Sequence, residues 1–478
     1  MDLNQEASIK IKLLQLECHF TWGLRKVDPD LKDLQDRLQE QIGLGHGGDT
    51  GTVCSYNLLA YVNHLQGFNE EALENLRKAE EFIKKQHGDE YGKFLSITYG
   101  DFAWVYHHMG DLSKVQSYLD MLDNINKRFL ATSPADLQPA VYGEKGWSCL
   151  KYNRKYYTTA KECFEKALIV EPDNADWNAG YAIALYRLEG FESELISAKD
   201  SAALKQLRRA LELNPEDCVI MVLLGLKLAH LKKNKEAEEL VEKALEMSPD
   251  NPYVTRYVAK FFRQFGLLEK SIKLLKRALE RTPNSRFIHH QIALGYKKKK
   301  IALSKNGNYV QNSMEIDRLR RLCIYHLEKA TTQKPSFIYA GVELALLYAE
   351  CKNTERAEEL FQRMFSIAKE KNEHIQIVHY YYGDFQLYHK RSEHLAIKHY
   401  KEACEGKDKK CLYKLKAIAE NHISKSPHDA EAYGILGFVH RMKDERIQAI
   451  ECYEKALLGD LGNGEYLAAL CDLRLSLS

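Results

Sequence analysis

Three cations in the segment PYVTRYVAKFFRQFG (252–266) stand at i, i+4 and i+7: Arg256, Lys260 and Arg263. That spacing puts them on one face of a helix. Tyr253 lies one turn before Arg256, and Tyr257 borders the stripe. The next segment of this kind, RFIHHQIALGYKKKK, offers Phe287, His290 and Gln291 in the comparable register. Upstream, Arg37 and Gln41, Trp147 and Lys151, and Ile183 and Arg187 each form an i, i+4 pair. Cations placed in a narrow, poorly hydrated channel are destabilised by desolvation unless an anion compensates them. Phosphates do so through charge-assisted hydrogen bonds, and aromatic rings between the cations give bases a surface to stack on. Together these recognise single-stranded nucleic acid. A solvated outer face is the competing reading of the 253–263 stripe, and core packing is the competing reading of Trp147.

Other chemistries find less support. GLGHGG (43–48) fits a dinucleotide-binding G-x-G-x-x-G, but that motif needs a preceding strand. Here LKDLQDRLQEQI precedes it, with a helical pattern. No Gly-Lys-Ser/Thr and no His-Glu-x-x-His occurs, so the chain is expected not to be an enzyme and to need no resident cofactor. The eleven cysteines include no C-x-x-C pair, which reads as reduced thiols in a cytosolic core. Lys plus Arg exceed Asp plus Glu by only two. An anion site must therefore come from local arrangement. No apolar run reaches the roughly 18 residues of a membrane span, and no secretory leader is expected.

The elements that would carry these side chains are helices in a repeat. Pro172, Pro215, Pro249, Pro283 and Pro335 each follow a helical stretch with Ala and Leu in register, as in VEKALEMSP and LKRALERTP. Pro215 to Pro249 and Pro249 to Pro283 are each 34 residues, the tetratricopeptide period. Two spacings are longer, with insertions near Glu192–Ala203 and at KKKKIALSKNGNYVQNSMEID (297–317). The expected fold is all-α: a tetratricopeptide-repeat superhelix whose subdomains enclose a basic central channel. The expected subdomains are 1–140, 141–249 and 250–478, with breaks near 140 and 250.

The segments LECHFTW (16–22), YNLLAYVNHLQG (56–67), FAWVYHHMG (102–110), KGWSCLK (145–151), GYAIALYRL (180–188), HHQIALGY (289–296) and LGFVHRM (436–442) closely resemble the interferon-induced proteins with tetratricopeptide repeats. The likeness runs nearly end to end. It implies a cytoplasmic, interferon-induced, non-catalytic protein of innate immunity and antiviral defence. Members of the RNA-binding branch hold the 5′ end of foreign single-stranded RNA, as a 5′-triphosphate or an mRNA cap lacking 2′-O-methylation, and block its translation. The implied partners are RNA 5′ ends, homologous family members and the translation initiation machinery.

By this resemblance Arg37, Gln41, Lys151 and Arg256 contact the 5′ phosphates. Asp33 helps hold a Mg²⁺ that arrives with the triphosphate. Tyr157, Arg187, Tyr253, Tyr257, Lys260, Arg263, Phe287, His290 and Gln291 lie near the first nucleotides. Trp147 and Ile183 match a pocket for a cap guanine, and Tyr453 and Leu457 match a self-association element. The chain departs from the pattern in four residues. Gly45 and Gly47 replace bulkier cap contacts, Asp217 replaces an Asn near the 2′-hydroxyl region, and Asp384 replaces an Arg of the RNA-binding relatives. Arg37 instead matches the cap-tolerant branch. The alternative is a tetratricopeptide scaffold acting through protein partners in innate immunity, which needs no basic, aromatic channel.

Overall fold

The computed structural model describes residues 3–45, 48–87, 95–127, 139–190, 200–305, 309–404 and 409–475. Gly47, most of the 192–203 insertion and the eleven residues before Pro139 lie outside the described residues. The chain divides into two compact units, Met1–Pro283 and Asn284–Ser478. The expected break near 250 falls within the first.

The first unit begins with α1 (Leu3–Leu14), α2 (Leu31–Gly43), α3 (Gly48–Leu65) and α4 (Asn69–His87). It continues with α5 (Ser96–Met109), α6 (Leu112–Ile125), α7 (Pro139–Tyr152), α8 (Tyr157–Val170) and α9 (Ala175–Glu189). It ends with α10 (Ala202–Leu213), α11 (Cys218–His230), α12 (Asn234–Met247), α13 (Pro252–Gln264) and α14 (Leu268–Arg281). The second unit holds α15 (Arg286–Lys305), α16 (Tyr309–Gln333), α17 (Ile338–Glu350), α18 (Thr354–Lys371) and α19 (Ile375–Phe385). After these come α20 (Glu393–Cys404), α21 (Lys409–Lys425), α22 (Ala430–Met442), α23 (Arg446–Gly459) and α24 (Gly464–Leu475). No strand occurs among the described residues, and the element before GLGHGG is the helix α2.

Each punctuating proline stands two residues past a second helix: Pro172, Pro215, Pro249, Pro283 and Pro335 follow α8, α10, α12, α14 and α16. Proline lacks the amide the ladder needs, so the helix has already stopped. First and second helices bury different amounts. In α11 the apolar run Ile220–Leu224 is buried throughout, whereas α12 buries only Ala237, Val241 and Ala244, at i, i+4 and i+7. The small residues permit close approach. A Cβ on Gly225 would come within 2.7 Å of Val241 Cγ2, and one on Gly437 within 2.9 Å of the Tyr453 ring.

The 297–317 insertion is largely helix rather than an irregular bend. It lengthens α15 to 20 residues and α16 to 25, against 13 in α17. All eleven cysteines are free, eight of them buried.

The LECHFTW segment locks the first unit. His19 is fully buried, with Nδ1 2.7 Å from Asp101 Oδ2 in α5 and Nε2 3.0 Å from Ser148 Oγ in α7. A Ser–His–Asp relay has this order of hydrogen bonds. Here its three members are at most 1% exposed, so no substrate reaches the hydroxyl. The network instead fixes α7, one residue from Trp147 and three from Lys151.

Candidate nucleic-acid interface

Arg37, Lys151, Arg187 and Arg256 converge inside the first unit. In α2, Leu34 and Leu38 face the core, and Arg37, one turn after Leu34, borders that face. Its Nη2 donates to the Lys151 carbonyl at 3.4 Å, and its Nε lies 3.4 Å from Asp33 Oδ2. Burial, then the like charges of Arg187 and Arg256, lowers the Arg37 pKa, while Tyr253 and Tyr157 oppose them. Nearly half of its side chain (46%) is nevertheless accessible. Both hold because that surface faces a recess within the fold rather than bulk solvent.

Lys151 Nζ donates to Ser55 Oγ at 3.1 Å and lies 5.9 Å from the Trp147 ring. Burial lowers its pKa, and Cys54, Asp176 and Glu144 partly restore it. Asp176 carries two tasks: its Oδ2 accepts from Trp147 Nε1 at 2.8 Å, which orients the indole, and its charge supports Lys151. Burial raises the Asp176 pKa in return. Trp147 is thus only half-buried, edge-on to Phe164 at 5.4 Å. Ile183 packs at the border of two core clusters.

Arg187 Nη1 donates to the Leu150 carbonyl at 2.8 Å, and its guanidinium lies 5.1 Å from the Tyr157 ring. In α13 the core side is Val254, Thr255, Val258, Ala259, Phe261 and Phe262. That leaves Tyr253, Arg256, Tyr257, Lys260 and Arg263 partly exposed on the remaining surface. Arg256 lies 4.3 Å over Tyr253 and donates from Nε to the Pro252 carbonyl. The Lys260 pKa falls through burial and the nearby Arg263, with Tyr257 opposing. Gln41 sits one turn after Arg37 on α2.

Phe287, His290 and Gln291 belong to α15, in the second unit. Phe287 is 41% exposed, while His290 and Gln291 are buried. The His290 ring meets Phe337 edge-on, and Nε2 lies 4.0 Å from Glu343 Oε2. Tyr453 is core, 2% exposed against Tyr466, with Leu457 packed on the same cluster. Asp384 accepts from Tyr400 and pairs with Lys414 at 3.0 Å. Asp217 caps α11 by accepting from Val219 N and Ile220 N. Gly45 has a left-handed φ of 62° in the turn after α2.

Sequence reasoning missed Asp176 and Ser55. Asp176 reads as an ordinary acidic residue in the first turn of a helix, and Ser55 as a small packing residue. Only their meeting with Lys151 marks them.

The fold and the recess define a tetratricopeptide-repeat protein with an inward cationic site. The family model "Tetratricopeptide repeat" matches residues 201–252 and 233–286. Human "Antiviral innate immune response effector IFIT1" is 39% identical, covering 94% of this chain and 95% of its own length. Human "Protein IFIT1 homolog B" is 41% identical, covering 94% and 96%. Among solved structures, an IFIT1 monomeric mutant with Gppp-AAAA aligns with a TM-score of 0.82 at 39% identity, covering 94% of this chain and 99% of that one. The human IFIT1 dimer with PPP-AAAA aligns with a TM-score of 0.77 at 38% identity and the same coverage. This chain belongs to the family of interferon-induced proteins with tetratricopeptide repeats.

Proposed function

We propose that this chain captures the 5′ end of foreign single-stranded RNA, as a triphosphate or a cap lacking 2′-O-methylation. By holding that end it blocks translation, as an interferon-induced antiviral protein of the cytoplasm that binds without catalysis. The observation that carries this reading is the convergence of Arg37, Lys151, Arg187 and Arg256 in one recess, at a desolvation cost that lowers the pKa of Arg37 and Lys151. A phosphate cluster offsets that cost through charge-assisted hydrogen bonds. The RNA bound in the similar IFIT1 structures carries Gppp or PPP at its end, which supports the same ligand class here.

Arg37, Gln41, Lys151 and Arg256 are assigned to the phosphates. Tyr157, Arg187, Tyr253, Tyr257, Lys260, Arg263, Phe287, His290 and Gln291 are assigned to the first nucleotides. Trp147, oriented by Asp176, and Ile183 offer the surface for a cap guanine. No described group of three or more His, Cys, Asp or Glu is arranged to hold a metal. A Mg²⁺ accompanying the RNA would take most of its oxygens from phosphate and water, with Asp33 beside them.

Gel shift of one short RNA bearing a 5′-triphosphate, a cap with free 2′-hydroxyl, a 2′-O-methylated cap or a 5′-hydroxyl tests the reading. Strong binding of the first two is expected. Equal weak binding of all four would instead favour a scaffold acting through protein partners.

A further inference from the structure

A cleft of about 690 Å³ opens in the second unit between α16 and α18, over a floor from α17. It shares no residue with the cationic recess or with the 287–291 segment. Its walls carry matching stripes: Tyr325, Lys329 and Thr332 at i, i+4 and i+7 of α16, and Arg356, Leu360 and Arg363 at the same spacing of α18. The floor is apolar, with Leu344 and Tyr348 only 3% and 6% exposed.

The charges in this cleft are unevenly committed. Glu328 is held in the wall, accepting from the Tyr348 hydroxyl at 2.7 Å and from Arg356 Nη2 at 3.4 Å. Arg356 is itself fixed, 4.2 Å over the Tyr348 ring. Lys329 reaches only the half-exposed Tyr325 ring, at 5.8 Å. Among the described residues neither Lys329 nor Arg363 has an ion pair. The lining cations Lys329, Arg356 and Arg363 outnumber the acids Glu328 and Glu359.

We infer that this cleft docks a short acidic, amphipathic segment of a partner protein. Carboxylates of the segment meet Lys329 and Arg363 on opposite walls, and an apolar side chain between them packs on the partly exposed Leu360. Tyr325 offers the large, partly exposed aromatic surface that binding sites favour. The stripes span two helical turns, roughly 10 Å, which fits one short segment rather than a domain. A nucleic-acid backbone suits the cleft less well, because the carboxylates Glu328 and Glu359 stand in its walls.

The test uses the full chain and a short fluorescein-labelled peptide with Glu and Leu at helical spacing. A counterpart with Lys for every Glu and a 5′-hydroxyl oligoadenylate serve as controls. The acidic peptide binds, the Lys peptide does not, and added salt weakens the complex. The double substitution Lys329→Glu with Arg363→Glu loses about tenfold or more, a modest share of what charge pairs contribute at interfaces. It leaves the thermal melt and 5′-triphosphate RNA binding unchanged, which separates this site from the RNA reading. Tyr325→Ala weakens the peptide without altering charge. The inference is overturned if the acidic peptide binds no better than its Lys counterpart or is indifferent to the double substitution. Displacement by the oligoadenylate would make the cleft a nucleic-acid surface, and a dimer lost in the double variant would make it a contact between copies; either result also overturns it.

Discussion

The recess of the first unit and the helix packing of the second treat their cations in different ways. In the first, Lys151, Arg187 and Arg256 rest on main-chain carbonyls, hydroxyls and aromatic rings, and Arg37 rests on the Lys151 carbonyl while also meeting Asp33. In the second, Lys297 meets Glu343, Lys300 and Arg320 meet Glu350, and Lys414 meets Asp384. A dipole orients a cation and leaves its net charge available, whereas a carboxylate cancels it. Positive charge is therefore largely kept for a ligand in the recess, and used for internal structure at Lys297, Lys300, Arg320 and Lys414. Asp384 accounts for part of the difference, as the acid that neutralises Lys414.

The sharpest way to break this contrast is to remove a cation from the recess. Lys151→Met or Arg256→Met is expected to weaken 5′-triphosphate RNA by about 1.5–3 kcal/mol, the range for hydrogen bonds to charged groups, read by gel shift. Wild-type affinity in either variant would remove that residue from the phosphate site. Tyr157→Ala should lose roughly 1–3 kcal/mol if a base stacks there, measured by fluorescence anisotropy on the same RNA.

A smaller effect concerns stability. The Lys151 pKa is lower in the folded chain than in the unfolded one, where it takes its ordinary value. Between those two values the unfolded state binds the extra proton, so stability rises with pH there. Below the folded pKa the cost of the buried charge is fully present. Lys151→Met should accordingly raise the melting temperature of the RNA-free protein at neutral pH while it weakens RNA. A lower melting temperature would mean that the ammonium's bond to Ser55 outweighs its desolvation. RNA affinity should also decline with rising pH sooner than an ordinary lysine would dictate.

The smallest effect is expected in the second unit. Lys414→Met should change RNA affinity by less than about threefold, because an already paired cation contributes little to a ligand. A loss matching that of Lys151→Met would erase the contrast.

Much of this organisation was legible in the residues. The prolines at 34-residue spacing gave the helical hairpins because proline acts locally, through its own missing amide. The i, i+4 pairs named the recess cations because helical spacing is also local. The companions of Lys151 were not legible: Ser55 and Asp176 lie 96 residues before it and 25 after it, and nothing local announces their meeting. The helical extension at 297–317 was hidden for a related reason. Its Asn and Ser residues favour turns in isolation, yet packing of α15 on α16 continues both helices. The role of His19 was equally obscured, since its partners come from two distant helices.

The knot that His19 ties between α5 and α7 has a bearing on timing. The helix presenting Trp147 and Lys151 is immobilised when the chain folds, long before any transcript arrives. The loss of freedom that accompanies ordering has then already occurred, and an incoming 5′ end meets a rigid receptor instead of having to shape one.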